Sequence, residues 1–305
     1  MKFTLQYPMP HPPAPGFLDP STILDVARAA EAAGFHGIAF TEHPAPSDKW
    51  LKAGGHEAFD PLIALTYCAA VTERLRLMPF LLVLPYHQPF LIAKSVASVD
   101  VLSSGRMTVI GGTGYLRSEF SALGVDFDER NALLEESITT MRGVWSTDAL
   151  EVAGAGFQAR GVTARPRPVQ QPGPPIWLGG NSKLTRRRVA TLVDGWSPNM
   201  YDARMAATTR TATLETVDDV AAAIAEIRAL RDEAGRDDSF DVQLNGPHGR
   251  QPPAPTEVAE HIDLLGRLSA VGVTWTVINP PHDDVAAALD MIAAYGLDVI
   301  SKVAP

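Results

Sequence analysis

The chain reads as a (β/α)8 TIM barrel, on three observations. Short apolar runs and helix-period segments alternate from end to end, and about eight such pairs fit its length. One long segment after the fourth helix breaks the rhythm as an insertion. The first strand-to-helix turn, Pro8-Met9-Pro10-His11-Pro12-Pro13, lacks the G-x-G-x-x-G fingerprint of a doubly wound open sheet, the alternative architecture. The nearest match, Gly112-Thr113-Gly114, lacks a third glycine and follows strand four, and no Walker A lysine motif occurs. Residues 1–305 are taken as one barrel domain with an insertion at about 147–175.

The elements follow in order. Lys2 to Tyr7 is a first strand, followed by the proline-rich loop Pro8 to Pro15. Asp19-Pro20 opens a helix with Ile23, Val26, Ala27 and Ala30 on one face, and Gly34 stops it. Gly37 to Thr41 is a strand ending at Glu42-His43-Pro44, and Asp60-Pro61 opens a helix with proline near its first position. Leu75 to Leu84, Pro89 to Leu102, Met107 to Ile110 and about Glu129 to Trp145 give strand, helix, strand and helix. Thr147 to Pro175 is rich in Gly, Ala and Pro and is expected as a surface hairpin or loop, placed at the barrel mouth as a lid. Strand Pro175 to Leu178, helix Ser182 to Leu192 and a short strand at Asp194 to Pro198 resume the alternation. Helix Val217 to Glu233, strand Phe240 to Asn245, helix Glu257 to Ala270, strand Val273 to Ile278 and helix Asp283 to Tyr295 complete it.

A hydrophobic content of 46% over 305 residues allows an ample core, and a net charge of -9 argues against nucleic-acid or anionic-membrane surfaces. The one basic run, Arg186-Arg187-Arg188, is expected as a solvated helix face. The single cysteine, Cys68, excludes a disulfide framework within the chain and is expected as a buried, inert thiol. No signal core and no apolar run long enough to span a membrane is present, so a soluble cytoplasmic protein is expected.

In a barrel, chemistry emerges at the carboxyl ends of strands. That selects Tyr7, Glu42-His43, the loop Leu84 to Gln88, Gly111 to Tyr115, Gly179-Gly180-Asn181, Ser197-Pro198-Asn199, Asn245 and Asn279. Glycines at two strand ends would let a flat ligand lie on bare backbone. Gly179-Gly180 ahead of a helix start offers N–H groups to a phosphate. His43 is the acid–base candidate, with Glu42 tuning it. The other histidines are scattered without metal spacing, so no metal is assigned. Leu62 to Val71 is nearly continuously apolar, which suggests a helix buried on two sides and a homodimer through it.

With these residues in view, the chain resembles the luciferase-like monooxygenase superfamily, in its branch of oxidoreductases that use the deazaflavin coenzyme F420. The matching segments are Ala30 to Gly37 leading to Thr41-Glu42-His43, and Asp60-Pro61-Leu62 through Thr72 to Leu77. They continue in Leu84-Pro85-Tyr86, Ala93-Lys94-Ser95, Asp100 to Arg106, Gly112 to Phe120, Pro174 to Gly180 and Asp194-Gly195-Trp196. The resemblance implies that His43 and Glu42 face the redox-active ring and that Pro79, Phe80, Leu81 and Leu82 lie behind it. In relatives that last region often holds a non-prolyl cis peptide bulging against the ring. Pro79 departs from the small residues usual there and leaves the bulge an open point. Gly112, Thr113, Gly114, Tyr115 and Ser118 would contact the cofactor chain, and Leu178, Gly179, Gly180 and Asn181 its phosphate. Related sugar-phosphate dehydrogenases carry a glutamate where Tyr115 stands, so that substrate class is not expected. The resemblance implies hydride transfer between F420 and a small, weakly polar organic substrate. The alternatives are an FMN-dependent monooxygenase and a non-catalytic flavin-binding barrel.

Overall fold

The computed structural model describes residues 1–303 apart from 210, 237, 251, 252 and 255. Its strands are β1 (Lys2–Gln6), β2 (Gly37–Phe40), β3 (Arg76–Val83), β4 (Val109–Gly112), β5 (Leu150–Gly154), β6 (Phe157–Val162), β7 (Ile176–Gly179), β8 (Gly195–Ser197), β9 (Asp241–Leu244) and β10 (Trp275–Ile278). All but β5 and β6 form a closed parallel barrel in the order β1-β2-β3-β4-β7-β8-β9-β10. The (β/α)8 expectation holds.

The helices are α1 (Pro20–Ala32), α2 (Asp48–Lys52), α3 (Pro61–Ala69), α4 (Pro89–Leu102), α5 (Arg117–Ala122), α6 (Arg130–Ser146), α7 (Lys183–Thr191), α8 (Ala203–Thr209), α9 (Val217–Glu233), α10 (Pro247–Arg250), α11 (Val258–Ala270) and α12 (Val285–Tyr295). A π turn, Gly296–Ile300, and α13 (Ser301–Val303) follow. The long helices start where the sequence caps them. Asp60 Oδ1 accepts from the N–H groups of Leu62 and Ile63 at 2.9 and 3.0 Å, and the Thr216–Asp219 capping box opens α9. The short helices α2, α8 and α10 were not expected. They are one or two turns long, too short to show a 3.6-residue periodicity. Cys68 is fully buried, as expected.

Two expectations are corrected here. The segment after α6 forms the antiparallel β5–β6 hairpin and then passes under the barrel, at the end opposite the mouth. Gln170 clamps it there: its backbone N–H and its Nε2 donate to the two Asp100 carboxylate oxygens at 3.0 and 2.6 Å. Nε2 also donates to the Met107 carbonyl at 2.7 Å, just ahead of β4. The hairpin itself lies on the outer flank, with Phe157 against Phe90 of α4 at 5.6 Å and the Ala155 N–H on Glu136 of α6 at 2.8 Å, and no residue of 147–175 lines the cavity at the carboxyl ends of the strands. The basic run is not a solvated face either. Arg186 and Arg188 are buried, on Glu226 and Glu135 at 2.8 Å each, and only Arg187 is exposed.

The helix α3 buries Leu62, Ala64, Leu65, Cys68 and Ala69 but leaves Ile63 72% and Tyr67 40% exposed. Beside it, α4 exposes Leu91 and Leu102. Between α1, α3 and α4 runs a largely apolar groove of about 1350 Å³ on the flank of the barrel.

Candidate active site

The chemistry-bearing side chains gather in a smaller cavity of about 290 Å³ at the carboxyl ends of the strands. Its floor is Leu81. The β3–β4 register shifts between Phe80 and Leu82, and the Phe80–Leu81 peptide is cis. The bulge that Pro79 left open is therefore present. Pro79 stays in the ladder opposite Phe40, buried, and the bulge begins one residue later.

The strand-end glycines serve this bulge. A Cβ on Gly112 would stand 2.7 Å from Leu81 Cδ1, and one on Gly179 would stand 2.4 Å from Leu81 Cδ2. Both distances are far inside van der Waals contact, so only glycine on β4 and β7 lets Leu81 lie across them. A flat ligand would rest on Leu81 rather than on bare glycine backbone, which corrects the sequence reading.

His43 lies beyond β2, with its ring 4.5 Å from Trp50, 4.8 Å from His56 and 6.3 Å from Tyr115. Its Nδ1 is 3.3 Å from Oε2 of Glu119, which is 1% exposed. A carboxylate only accepts, so Nδ1 carries the hydrogen and Nε2 is the nitrogen left for the cavity. Glu119 also receives the Ala45 N–H at 3.3 Å and the Tyr86 hydroxyl at 3.0 Å. Burial first, then Glu119, pushes the Tyr86 phenol above its ordinary pKa, which keeps it a donor. Burial likewise pushes Tyr115 up to about 12.

Glu42 is not the partner of His43. Its Oε2 accepts the Val83 N–H at 2.6 Å and its Oε1 faces His87 Nε2 at 2.8 Å. It thus anchors the chain just past the Leu81 bulge. Adjacent residues of an extended segment point to opposite sides, and that separates Glu42 from His43. The sequence reading missed Glu119. Its signal is an acidic residue in the first turn of α5, within the matching segment Gly112 to Phe120 and directly after the strand-end glycines.

At the opposite end of the cavity Gly180 has φ +106°, and its carbonyl accepts the Trp196 indole N–H at 2.8 Å. Ser182 caps α7 through the Thr185 N–H at 3.1 Å, and Thr185 and Thr211 complete this wall. The first N–H groups of α7 have no acceptor within the helix, and the dipole favours an anion there. Asn181 takes no part. Its side chain is fully buried, donating to the Asn199 and Ala212 carbonyls at 2.7 and 2.8 Å and accepting the Asn199 N–H at 3.0 Å. It locks the loop that carries Thr211.

Of the other expected residues, Glu42, Phe80, Leu81, Gly112, Thr113, Gly114, Tyr115, Gly179 and Gly180 line the cavity. Leu82 and Leu178 are buried in the wall, and Ser118 is exposed on α5 away from it. Tyr7, named from its strand end, is buried and donates to the Phe17 carbonyl at 2.7 Å. His56, Thr41, Gln6, Arg130, Thr185, Tyr201 and Thr211 line the cavity without having been singled out. Asn199 and Asn245, both selected at strand ends, line it as well.

A strand-end histidine backed by a buried carboxylate stands above an apolar bulge, with a helix amino end across the cavity, an arrangement suited to an α/β-barrel enzyme site. The luciferase-like monooxygenase family model matches residues 1–247, and the chain belongs to that family of oxidoreductases. It is 26% identical over 300 residues to an uncharacterised protein of Mycobacterium tuberculosis (strain ATCC 25618 / H37Rv), covering 92% of this chain and 95% of that protein. An FMNH(2)-dependent dimethylsulfone monooxygenase of Pseudomonas fluorescens (strain Pf0-1) is 32% identical over 178 residues, 57% of this chain and 46% of that enzyme. Two solved structures share the fold. Monooxygenase RslO1 from Streptomyces bottropensis has TM-score 0.77 at 17% identity over 100% of both chains. The coenzyme F420 dependent tetrahydromethanopterin reductase from Methanopyrus kandleri has TM-score 0.73 at 16% identity over 99% of both.

Proposed function

We propose that this protein is a cytoplasmic oxidoreductase that transfers hydride between coenzyme F420 and a small, weakly polar organic substrate. The observation that carries the reading is the His43–Glu119 pair standing above the Leu81 bulge. The cavity suits such a cofactor on its own terms. The apolar Leu81 shelf fits a flat ring, and Gly180, Ser182, Thr185 and Thr211 supply N–H and O–H groups to a phosphate. When bound, the deazaflavin supplies a two-electron hydride acceptor or donor. His43 Nε2 takes or gives the accompanying proton at the substrate, while Glu119 fixes the ring and its tautomer. Tyr115, which lines the cavity, and Trp50, which packs on His43 at 4.5 Å, would give the substrate side aromatic surface.

The test is titration of the purified protein with F420 and with FMN, followed by absorbance, then turnover with the tighter cofactor. His43→Ala should lower turnover by about a hundredfold or more with little change in cofactor affinity. Tight binding of neither cofactor defeats the proposal. A second reading, an FMN-dependent monooxygenase, is favoured by the 32% identity to an FMNH(2)-dependent enzyme. Tight FMN binding with weak F420 binding decides for it.

We also propose a homodimer that closes over the groove between α1, α3 and α4, because Ile63, Tyr67, Leu91 and Leu102 line it and stand exposed.

A further inference from the structure

The cavity holds a second imidazole whose protonation its surroundings fix. A bridge between Pro10 and His56 ties His56 to the loop after β1. Its ring meets His43 edge to face at 4.8 Å and Trp50 at 5.4 Å. His56 Nδ1 is 2.9 Å from the Glu57 carbonyl oxygen. A carbonyl oxygen only accepts, so Nδ1 carries the hydrogen and Nε2 of the neutral ring presents a lone pair. The Thr41 hydroxyl stands on the same Nδ1 edge at 3.5 Å. The titratable groups around the ring are His43, Glu119 beyond it, and Glu57, whose carboxylate faces His11 at 2.9 Å. Burial holds His56 below the ordinary histidine pKa and His43 acts in the same sense, against the opposing pulls of the Glu57 carbonyl and Glu119. The ring therefore stays neutral near pH 7.

Neutrality and a fixed tautomer make His56 a one-way group. Its cavity nitrogen accepts and cannot donate. A carbonyl or ether oxygen set there meets lone pair with lone pair, whereas a hydroxyl or amide N–H completes a hydrogen bond. Asn245 adds a second acceptor to the same cavity. Its Nδ2 donates to Asn199 Oδ1 at 2.9 Å, and its buried Oδ1 has no donor among the described residues.

We propose that His56 determines specificity: its Nε2 accepts a hydrogen bond from an O–H or N–H group that the substrate carries beside the carbon reacting at His43. The proposal deepens the oxidoreductase reading and rests on it. A site built to bind a donor rejects the analogue lacking it, because the acceptor is then buried unpaired.

The test reads the nitrogen resonances of isotope-labelled histidine by NMR, on the cofactor-free protein and on protein loaded with F420 or FMN. Cyclohexanol, phenol and δ-valerolactam are each compared with the methylated counterpart, methoxycyclohexane, anisole and N-methylvalerolactam. The Nε2 resonance of His56 should hold its unprotonated position from about pH 7 to 8. It should shift with at least one donor compound and with none of the methylated ones. His56→Phe should weaken that donor's binding by about tenfold or more and leave its methylated partner and the cofactor Kd unchanged. A proton on Nε2, equal shifts within every pair, or no shift in either protein form overturns the proposal. A Phe variant that loses cofactor affinity but keeps the donor preference overturns it too. Failure of both cofactors to bind, with the Nε2 response intact, sinks the cofactor reading alone.

Discussion

His43 and Glu119 stand 76 positions apart in the chain and meet at 3.3 Å, Nδ1 to Oε2, beneath the barrel mouth. The carboxylate serves three donors at once: the His43 ring, the Ala45 N–H and the Tyr86 hydroxyl. Glu119→Gln keeps the shape but replaces one accepting oxygen by an amide donor, so three hydrogens compete for one oxygen. Turnover should fall by about tenfold or more with KM and cofactor affinity nearly unchanged, and Glu119→Asp should recover part of it. Steady-state kinetics beside a cofactor titration checks this. A rise in KM alone would show that the pair serves binding instead.

Leu81 and Gly179 are coupled by contact. Gly179→Ala puts a methyl 2.4 Å from Leu81 Cδ2, and the resulting overpacking should cost about 1–3 kcal/mol. In a Leu81→Ala background the same substitution should cost much less, because the clashing atoms are gone. Thermal unfolding of the four proteins measures the coupling. Additive losses would mean that Gly179 is glycine for another reason.

Acid should destabilise the fold through His248. Burial, with His261 adding to it, holds this ring down to about 4 from the ordinary 6.5, and its Nε2 is 2.7 Å from Thr276 Oγ1. Between these values the unfolded chain binds a proton that the folded one refuses. Stability is therefore full above about pH 6.5 and falls as pH drops toward 4, by roughly 3 kcal/mol for this group alone. His248→Gln should flatten that limb of a melting-temperature profile. An unchanged limb would assign the acid loss to His36, His56 and His261, which burial also holds low.

The flank groove gives a prediction of mass. Ile63 is 72%, Leu91 69% and Leu102 67% exposed. Light scattering at micromolar protein should give twice the 32.7 kDa of one chain. Tyr67→Glu, which sets a charge in the groove, should return the single-chain mass. A wild-type monomer removes the dimer.

The sequence by itself determined the barrel, because short continuous apolar runs and 3.6-residue apolar periods alternate along it and local spacing is enough to read both. The strand-end rule then marked His43, Gly112, Gly179 and Gly180, each at the place its element ends. Tertiary structure alone decided the partners. Glu119 reaches His43 across the mouth from α5, whereas adjacent Glu42 turns to Val83 and His87. Gly112 and Gly179 are bare for Leu81, a residue on another strand. Asn181, which reads as a phosphate ligand, spends its amide on the Asn199 and Ala212 backbone. Each of these facts depends on where a side chain points after the barrel closes. Closure brings together residues tens of positions apart, and no local period carries that information.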